Sequence, residues 1–568
     1  MISSRFTILL FINLLTFVSA VEEILLNTAQ GKIQGGRYAT KNNVFYYAFT
    51  NIPYAKPPIG ELRFEPPEEA PAWKGVRMST FPSVCYQSAI SYGVSQYFGT
   101  EDCLHLNVYT PNPNERAKLP VLVCIHGGEF QRGSSYECPP NNFVEQELVF
   151  VSFNYRLGAL GFLSTGDEIL SGNNGLKDQV MALKWVKKYI LSYGGDPNKI
   201  TILGQNSGAV SVHLHMFSEQ SKGLFQSAIS QSGTALVPWA ILPPDVAKNR
   251  TNTLINLIKC PNSSNVERIR CLKTKPAKIL VENQSAFHVW NHEPSIVFFP
   301  TVELSGVKNA FLVKNPWIDE EVNTVPWILG YNSGEGILKA ANFFEADKSS
   351  TSSLNENFNQ VLPISLLYDL TATKEEISKI TASLKNKYLE NQDISNENIR
   401  QFINLLGDGL VKYGTIKAAK RYKDDKFFYI FDHQIKDSFS KIFHAASGLS
   451  DIKLPSHGDE FITLFTILWS DPAKLTANDE LVAKRMLGYW INFIKTRNPN
   501  KEGNSIIWEP MTKHEFKYLN ITSERDEMNT DVDFIEDTYK LWDNLQLKSR
   551  EWEIEVIQSK NKVQIDEL

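Results

Sequence analysis

The sequence predicts an α/β protein with a large, mostly parallel central sheet covered by helices on both faces. Short apolar runs recur along the chain at residues 121–125, 148–153, 200–203, 325–329 and 427–431. Continuous runs of that length, rich in β-formers, suit strands buried on both sides. Between the second and third lie residues 176–191, where Leu176, Val180, Leu183 and Ile190 fall at helical spacing. Tyr193-Gly-Gly-Asp-Pro197 closes that helix, because glycine accepts the left-handed terminal position and proline cannot continue. Strand, helix, strand in this order is the unit of a parallel sheet, since the second strand needs a crossover to lie beside the first.

The bulk properties fit this class. The chain has 568 residues, 42% hydrophobic and 11% aromatic, a globular composition. Its net charge is −5, without long runs of one sign. A basic face for nucleic acid is therefore not expected. The pattern calls for no metal and no cofactor. Arg5, the apolar residues 8–17 broken by Asn13, and Val18-Ser19-Ala20 read as a signal peptide over residues 1–20. That run is too short to span a bilayer, and no later stretch approaches spanning length. The rest, residues 21–568, reads as a single domain with a polar tail from about residue 546. The polar piece at residues 347–359 reads as an ordinary surface loop.

Six cysteines in a translocated chain point to disulfides. Cys85 with Cys103 and Cys260 with Cys271 are local candidates, although spacing does not fix connectivity. Cys124, inside Val121-Leu-Val-Cys-Ile125, reads as a buried free thiol, which leaves Cys138 without an obvious partner. Asn249, Asn262, Asn283 and Asn520 head glycosylation sequons. The ending Gln564-Ile-Asp-Glu-Leu568 resembles an endoplasmic-reticulum retrieval signal with a variant first position. A secretory-pathway protein is expected, with the endoplasmic-reticulum lumen and the extracellular space both open.

The chemistry is concentrated at Ile200-Thr-Ile-Leu-Gly-Gln-Asn-Ser-Gly208. An apolar strand runs into Gly-x-x-x-Gly and then into a plausible helix over residues 209–216. This is the setting of a nucleophile elbow, Gly-x-Ser-x-Gly, in which glycines permit a sharp turn that lifts the central side chain to a helix N-terminus. Here the central residue is Asn206. Ser207 cannot replace it in that register, because its neighbours two positions away are Gln205 and Ala209, each with a Cβ.

With these residues in view, the chain resembles the carboxylesterase/cholinesterase-type (type B) esterases and has the look of insect carboxylesterases. The likeness runs from Leu25 to about Leu545. Asn51-Ile-Pro-Tyr-Ala-Lys-Pro-Pro-Ile-Gly-Glu-Leu-Arg-Phe64 and Glu101-Asp-Cys-Leu-His-Leu-Asn-Val-Tyr109 are similar to two family signatures. Asn154-Tyr-Arg156, Gly161-Phe-Leu163 and Asn173-Asn-Gly-Leu-Lys-Asp-Gln179 follow in family order. The resemblance implies an α/β-hydrolase fold, Cys103 as half of a disulfide, and ion pairs joining Arg63 to Glu101 and Arg156 to Asp178. It assigns the catalytic acid to Glu335, within Gly330-Tyr-Asn-Ser-Gly-Glu-Gly336, and the base to His457, within Pro455-Ser-His-Gly-Asp-Glu460. The oxyanion donors map onto Gly128, Glu129 and Ser207. The order position 206, Glu335, His457 is the nucleophile–acid–base order of these hydrolases.

Three departures cluster at the expected site. Asn206 replaces serine, Glu129 interrupts the glycine run of His126-Gly-Gly-Glu-Phe130, and Gln205 stands where glutamate is usual. An amide nitrogen conjugated with its carbonyl offers histidine no useful proton at neutral pH. Two side features carry less. His213 and His215 are two apart on a helix, so their side chains diverge and a metal site is not expected. Ile296-Val-Phe-Phe-Pro300 falls where the family places an acyl-pocket wall, with plain core an equal reading. The stretch between Cys85 and Cys103 lacks tryptophan, which argues against a choline ester.

The expectation is a protein with weak or no esterase activity that binds a small hydrophobic ester or acyl ligand, or a protein partner. The alternative is a working carboxylic ester hydrolase, should position 206 be a variant or the mechanism unusual. A third route is conversion of Asn206 to aspartate, a nucleophile that other α/β-hydrolases use at this elbow.

Overall fold

The computed structural model describes residues 22–545 except 92–93, 262, 345–349, 444–448, 450–451, 466–474, 503–505, 513–514 and 531. The proposed leader, the polar tail and the sequon at Asn262 lie outside the described residues.

Fifteen strands are formed among the described residues: β1 Glu22–Thr28, β2 Gly31–Ala39, β3 Phe45–Pro53, β4 Val76–Met78, β5 Gln87–Ser91, β6 Val94–Phe98, β7 His105–Thr110, β8 Leu119–Ile125, β9 Val149–Phe153, β10 Gly195–Gln205, β11 Ser227–Gln231, β12 Trp327–Asn332, β13 Lys426–Asp432, β14 Tyr518–Thr522 and β15 Asp526–Asn529. Thirteen build one sheet in the order β1-β2-β3-β7-β9-β8-β10-β11-β12-β13-β14-β15, with β4 beside β2, while β5 and β6 pair separately. The pairings from β9 through β8 to β14 are parallel. The margins are antiparallel, apart from the parallel pairing of β4 with β2.

Alternation along the central strands divides the core. Val121, Val123 and Ile125 of β8 face one apolar cluster, together with Val149 and Val151 of β9 and Ile202 of β10. Leu122, Cys124, Phe150 and Leu203 face the other. The helices Asn174–Tyr189 and Ser207–Phe217 cover the first face through Leu176, Val180, Leu183, Val210 and Leu214. The helix Ala477–Thr496 covers the second through Val482, Met486, Trp490 and Phe493. A strand period of two therefore yields two cores from one apolar run.

β8 is flanked by β9 on one side and β10 on the other. The chain reverses its direction of travel across the sheet there, and the loops after β8 and β10 leave from the same carboxyl end. Such a switch point opens a crevice for ligands in α/β sheets.

Three sequence expectations need correction. Cys124 is not a free thiol: it is bonded to Cys138 with S–S 2.04 Å, alongside the pairs Cys85–Cys103 and Cys260–Cys271. The strand expected at residues 325–329 begins at Trp327, because Pro326 has no N–H for the ladder. Of the piece at 347–359, the described residues 350–359 do not form a surface loop. The helix Ser350–Glu356 occupies much of them, and the helix Phe358–Ser365 follows. Leu354 and Phe358, four residues apart, supply the buried anchors that hold this segment to a satellite core.

Candidate active site

β10 ends at Gln205, and the next helix starts at Ser207. Asn206 turns the corner with φ 56° and ψ −123°, a sparsely populated conformation held only where the surroundings impose it. They do so through close backbone packing. A Cβ on Gly204 would lie 2.2 Å from the Gly208 carbonyl carbon, and one on Gly208 would lie 2.0 Å from Ile125 O. Asn206 N–H donates to Gln231 O at 3.0 Å, and Val210 N–H to Asn206 O at 3.0 Å. Ser207 is fully buried in the helix.

Three chain-distant elements converge on the Asn206 side chain. Glu335, just after β12, contacts His457 Nδ1 through Oε2 at 2.5 Å. His457 Nε2 lies 2.9 Å from Asn206 Nδ2 and 2.9 Å from Gln205 Nε2. On its other side, Asn206 Oδ1 accepts the N–H of Glu129 at 2.9 Å. That last bond fixes the amide orientation, because a flipped amide would set NH₂ against a backbone donor. With Nδ2 donating, Nε2 of the ring accepts, and the ring proton sits on Nδ1 toward Glu335. Burial disfavours protonation of His457, but the Glu335, Glu460 and Glu129 carboxylates together outweigh it, and the net shift is upward from the ordinary histidine value.

The loop expected to supply the oxyanion donors follows β8. Gly128, Glu129 and Phe130 have φ of 94°, 60° and 61°, a left-handed run of the kind that forms anion-binding concavities. A Cβ on Gly128 would sit 2.2 Å from Arg132 O. Of the residues expected to donate here, Glu129 spends its N–H on Asn206 Oδ1. The Glu129 carboxylate does not fill the hole: it turns toward Arg132, with Oε2 3.3 Å from a guanidinium nitrogen and the side chain 26% exposed. Its charge still reaches His457 and adds to the upward shift.

Two contacts at the site were not foreseen from the sequence. Gln205 reaches His457 across 252 positions, a contact without local signature. Behind the histidine, buried Glu460 accepts from Ser232 Oγ at 2.9 Å and from Asn332 Nδ2. Desolvation first, then the nearby Glu335 charge, pushes its carboxyl up to about 7. Asp459 is likewise raised to about 7 by burial, against donors from Phe439, Ser456 and Ser438. His126 stacks on Tyr155 with centroids 4.3 Å apart, and burial lowers it to about 4.

The remaining expected residues fall as follows. Arg63 and Glu101 form a double contact, both at 2.6 Å, and Arg156 meets Asp178 at 2.8 and 2.7 Å. His213 pairs with Glu321 at 3.1 Å, whereas His215 binds Ser221 and Gln179. Each histidine is a satisfied buried side chain, and among the described residues no group of three or more His, Cys, Asp or Glu is arranged to hold a metal. Ile296, Val297, Phe298 and Phe299 are buried, and Gln131 of the oxyanion loop donates to Phe298 O at 2.5 Å. Asn249 is exposed on a helix, Asn283 donates to Ile279 O at 2.8 Å, and Asn520 lies in β14.

Sheet, switch point and elbow together define an α/β-hydrolase. Comparison with known proteins makes the assignment specific: this chain belongs to the carboxylesterase family, whose model matches residues 22–540. It is 37% identical to Esterase E4 of Myzus persicae over 534 residues, covering 91% of this chain and 94% of that protein. It is 34% identical to Venom carboxylesterase-6 of Apis mellifera over 532 residues, covering 91% and 93%. Among solved structures it is similar to juvenile hormone esterase from Manduca sexta, a crystal structure with OTFP covalently attached. There the TM-score is 0.79 at 26% identity, with 92% of this chain and all of that chain covered. Among the described residues no helix is long and apolar enough to cross a membrane.

Proposed function

We propose that this family member does not run the serine-esterase reaction and instead binds a hydrophobic ester or acyl ligand, or a protein partner. One observation carries the reading. The Asn206 amide engages both the base and an oxyanion donor, through Nδ2 to His457 and Oδ1 to Glu129. A serine hydroxyl at this point would hand its proton to the imidazole, whereas the amide only donates a hydrogen bond. Losing the nucleophile of such a triad costs roughly 10⁶-fold in rate. The residual catalysis of a triad-deficient site comes from its oxyanion hole and from binding, and here the protein's own carbonyl takes a donor of that hole. The insect esterases above support an ester-like ligand, and the buried wall at residues 296–299 supports an apolar one. Three disulfides support passage through the secretory pathway. A second reading, a working ester hydrolase, draws on the close Glu335–His457 pair, which is ready for a serine.

The test uses purified full-length protein, a short-chain aryl ester, a serine-directed organophosphate and a long-chain ester as ligand. The expected result is no turnover and no covalent label, with a melting temperature that rises with long-chain ester concentration. Stoichiometric phosphonylation within the elbow would overturn the reading, and a label on Ser207 would overturn the register argument with it.

A further inference from the structure

Asn206 occupies its own active site as a substrate would. Its carbonyl oxygen receives a backbone donor of the oxyanion loop at 2.9 Å. Its amide nitrogen, the group that leaves when an amide is hydrolysed, lies 2.9 Å from His457 Nε2. The ring behind that nitrogen is oriented by Glu335 at 2.5 Å. Gln205 adds a second donor to the same ring nitrogen. The backbone around Asn206 is closely packed: a Cβ on Gly204, Gly208 or Gly233 would meet the backbone of the elbow or of β8 at 2.0–2.7 Å.

We propose that this site hydrolyses the side-chain amide of Asn206 to aspartate, a self-modification with water as the co-reactant. Water attacks Cγ and gives one proton to His457 Nε2. Negative charge gathers on Oδ1, opposite the Glu129 N–H. The imidazolium passes its proton to Nδ2, the Cγ–N bond breaks, and ammonia departs. The new carboxyl group then loses its own proton, so amide plus water becomes carboxylate plus ammonium, with no change of oxidation state. The parts are those that acyl transfer uses: a placed carbonyl, an oxyanion donor and a base that returns its proton to the leaving amine. Unaided amide hydrolysis is very slow, but holding the reacting groups in place is worth effective concentrations of about 10⁵–10⁸ M. The conversion is independent of ligand binding, because it changes one side chain and needs only water.

The experiment follows residue 206 by peptide mass spectrometry in full-length protein held at neutral pH in ¹⁸O-enriched water. The expected result is aspartate at position 206, gained over time or already complete at purification, with one ¹⁸O in each side chain converted during the incubation. His457→Ala should retain asparagine, and Glu335→Gln should convert at least about tenfold more slowly, the scale of a positioned acid–base group. Denaturing the wild-type chain in guanidinium should stop the conversion, which keeps the test decisive if a variant fails to fold. An unchanged amide in the folded wild type overturns the proposal and leaves the proposed function intact. A mixture of aspartate and isoaspartate formed equally fast in the denatured chain or in His457→Ala also overturns it, since that is ordinary backbone chemistry.

Discussion

The two halves of the site differ in what they keep. The acid–base half, built after β12 and β13, holds Glu335, His457 and Glu460 in one buried hydrogen-bonded set. The half built after β8 and β10 combines a closely packed backbone with the side chains Glu129, Gln205 and Asn206. Its glycines explain how the shape persists. Gly204 and Gly208 are required by contact with neighbouring backbone, so they serve the fold whether or not a nucleophile sits between them. Elbow geometry therefore reports the architecture, and only the side chain at its tip reports the chemistry.

Repair of the altered half should give the largest effect. Asn206→Ser alone is expected to restore little esterase activity. The double variant with Glu129→Gly should exceed it by at least about tenfold, because removing one oxyanion contribution costs about 10²–10³ in rate. The Glu129 carboxylate already turns toward Arg132, which makes this a sharp trial of whether its charge or its backbone matters. Aryl-ester rates for both singles and the double decide it, and equal rates for Asn206→Ser and the double would show that Glu129 is tolerated.

Next in size is Gly208→Ala, whose methyl group would meet Ile125 O at 2.0 Å. A loss of about 3 kcal/mol or more is expected from forced overpacking, measured by denaturant unfolding. A mild loss would mean that the elbow has room to relax.

The intact half makes a pH prediction. Folded Glu460 keeps its proton up to about 7, raised from 4.5 by burial and by Glu335. Between those values the folded state binds more protons than the unfolded chain, so stability falls as pH rises. Glu460→Gln should flatten this decline in melting temperature, with a remainder left by Asp459, which shifts the same way. An unchanged slope would place the proton elsewhere.

The smallest effect is expected from Glu129→Gly alone, which should leave esterase activity at background because Asn206 offers no hydroxyl to the base. Any appreciable rate would show that catalysis here does not need one.

Much of this was legible in the residues, for physical reasons that differ from place to place. Apolar runs marked the buried parallel strands because both faces are covered, and paired glycines marked the elbow because backbone contact demands them. The Cys124–Cys138 bond was hidden, since Cys124 occupies a core-facing position of β8 where a buried thiol is equally at home. The helix Ser350–Glu356 was hidden because a single apolar side chain, Leu354, anchors it. Gln205 on His457 was hidden because sequence carries no signal for a pair so far apart along the chain.

That same disulfide changes what kind of object the oxyanion loop is. Cys124 and Cys138 are 14 positions apart, and everything from His126 to Glu137 lies between them. The loop is therefore a covalent ring hung from β8, whose ends stay tethered even when the strand frays. Closing a ring of roughly this size restricts the unfolded chain by about 3 kcal/mol. A thiol reductant thus has a handle on the loop that offers the Glu129 N–H, one that touches neither Asn206 nor His457.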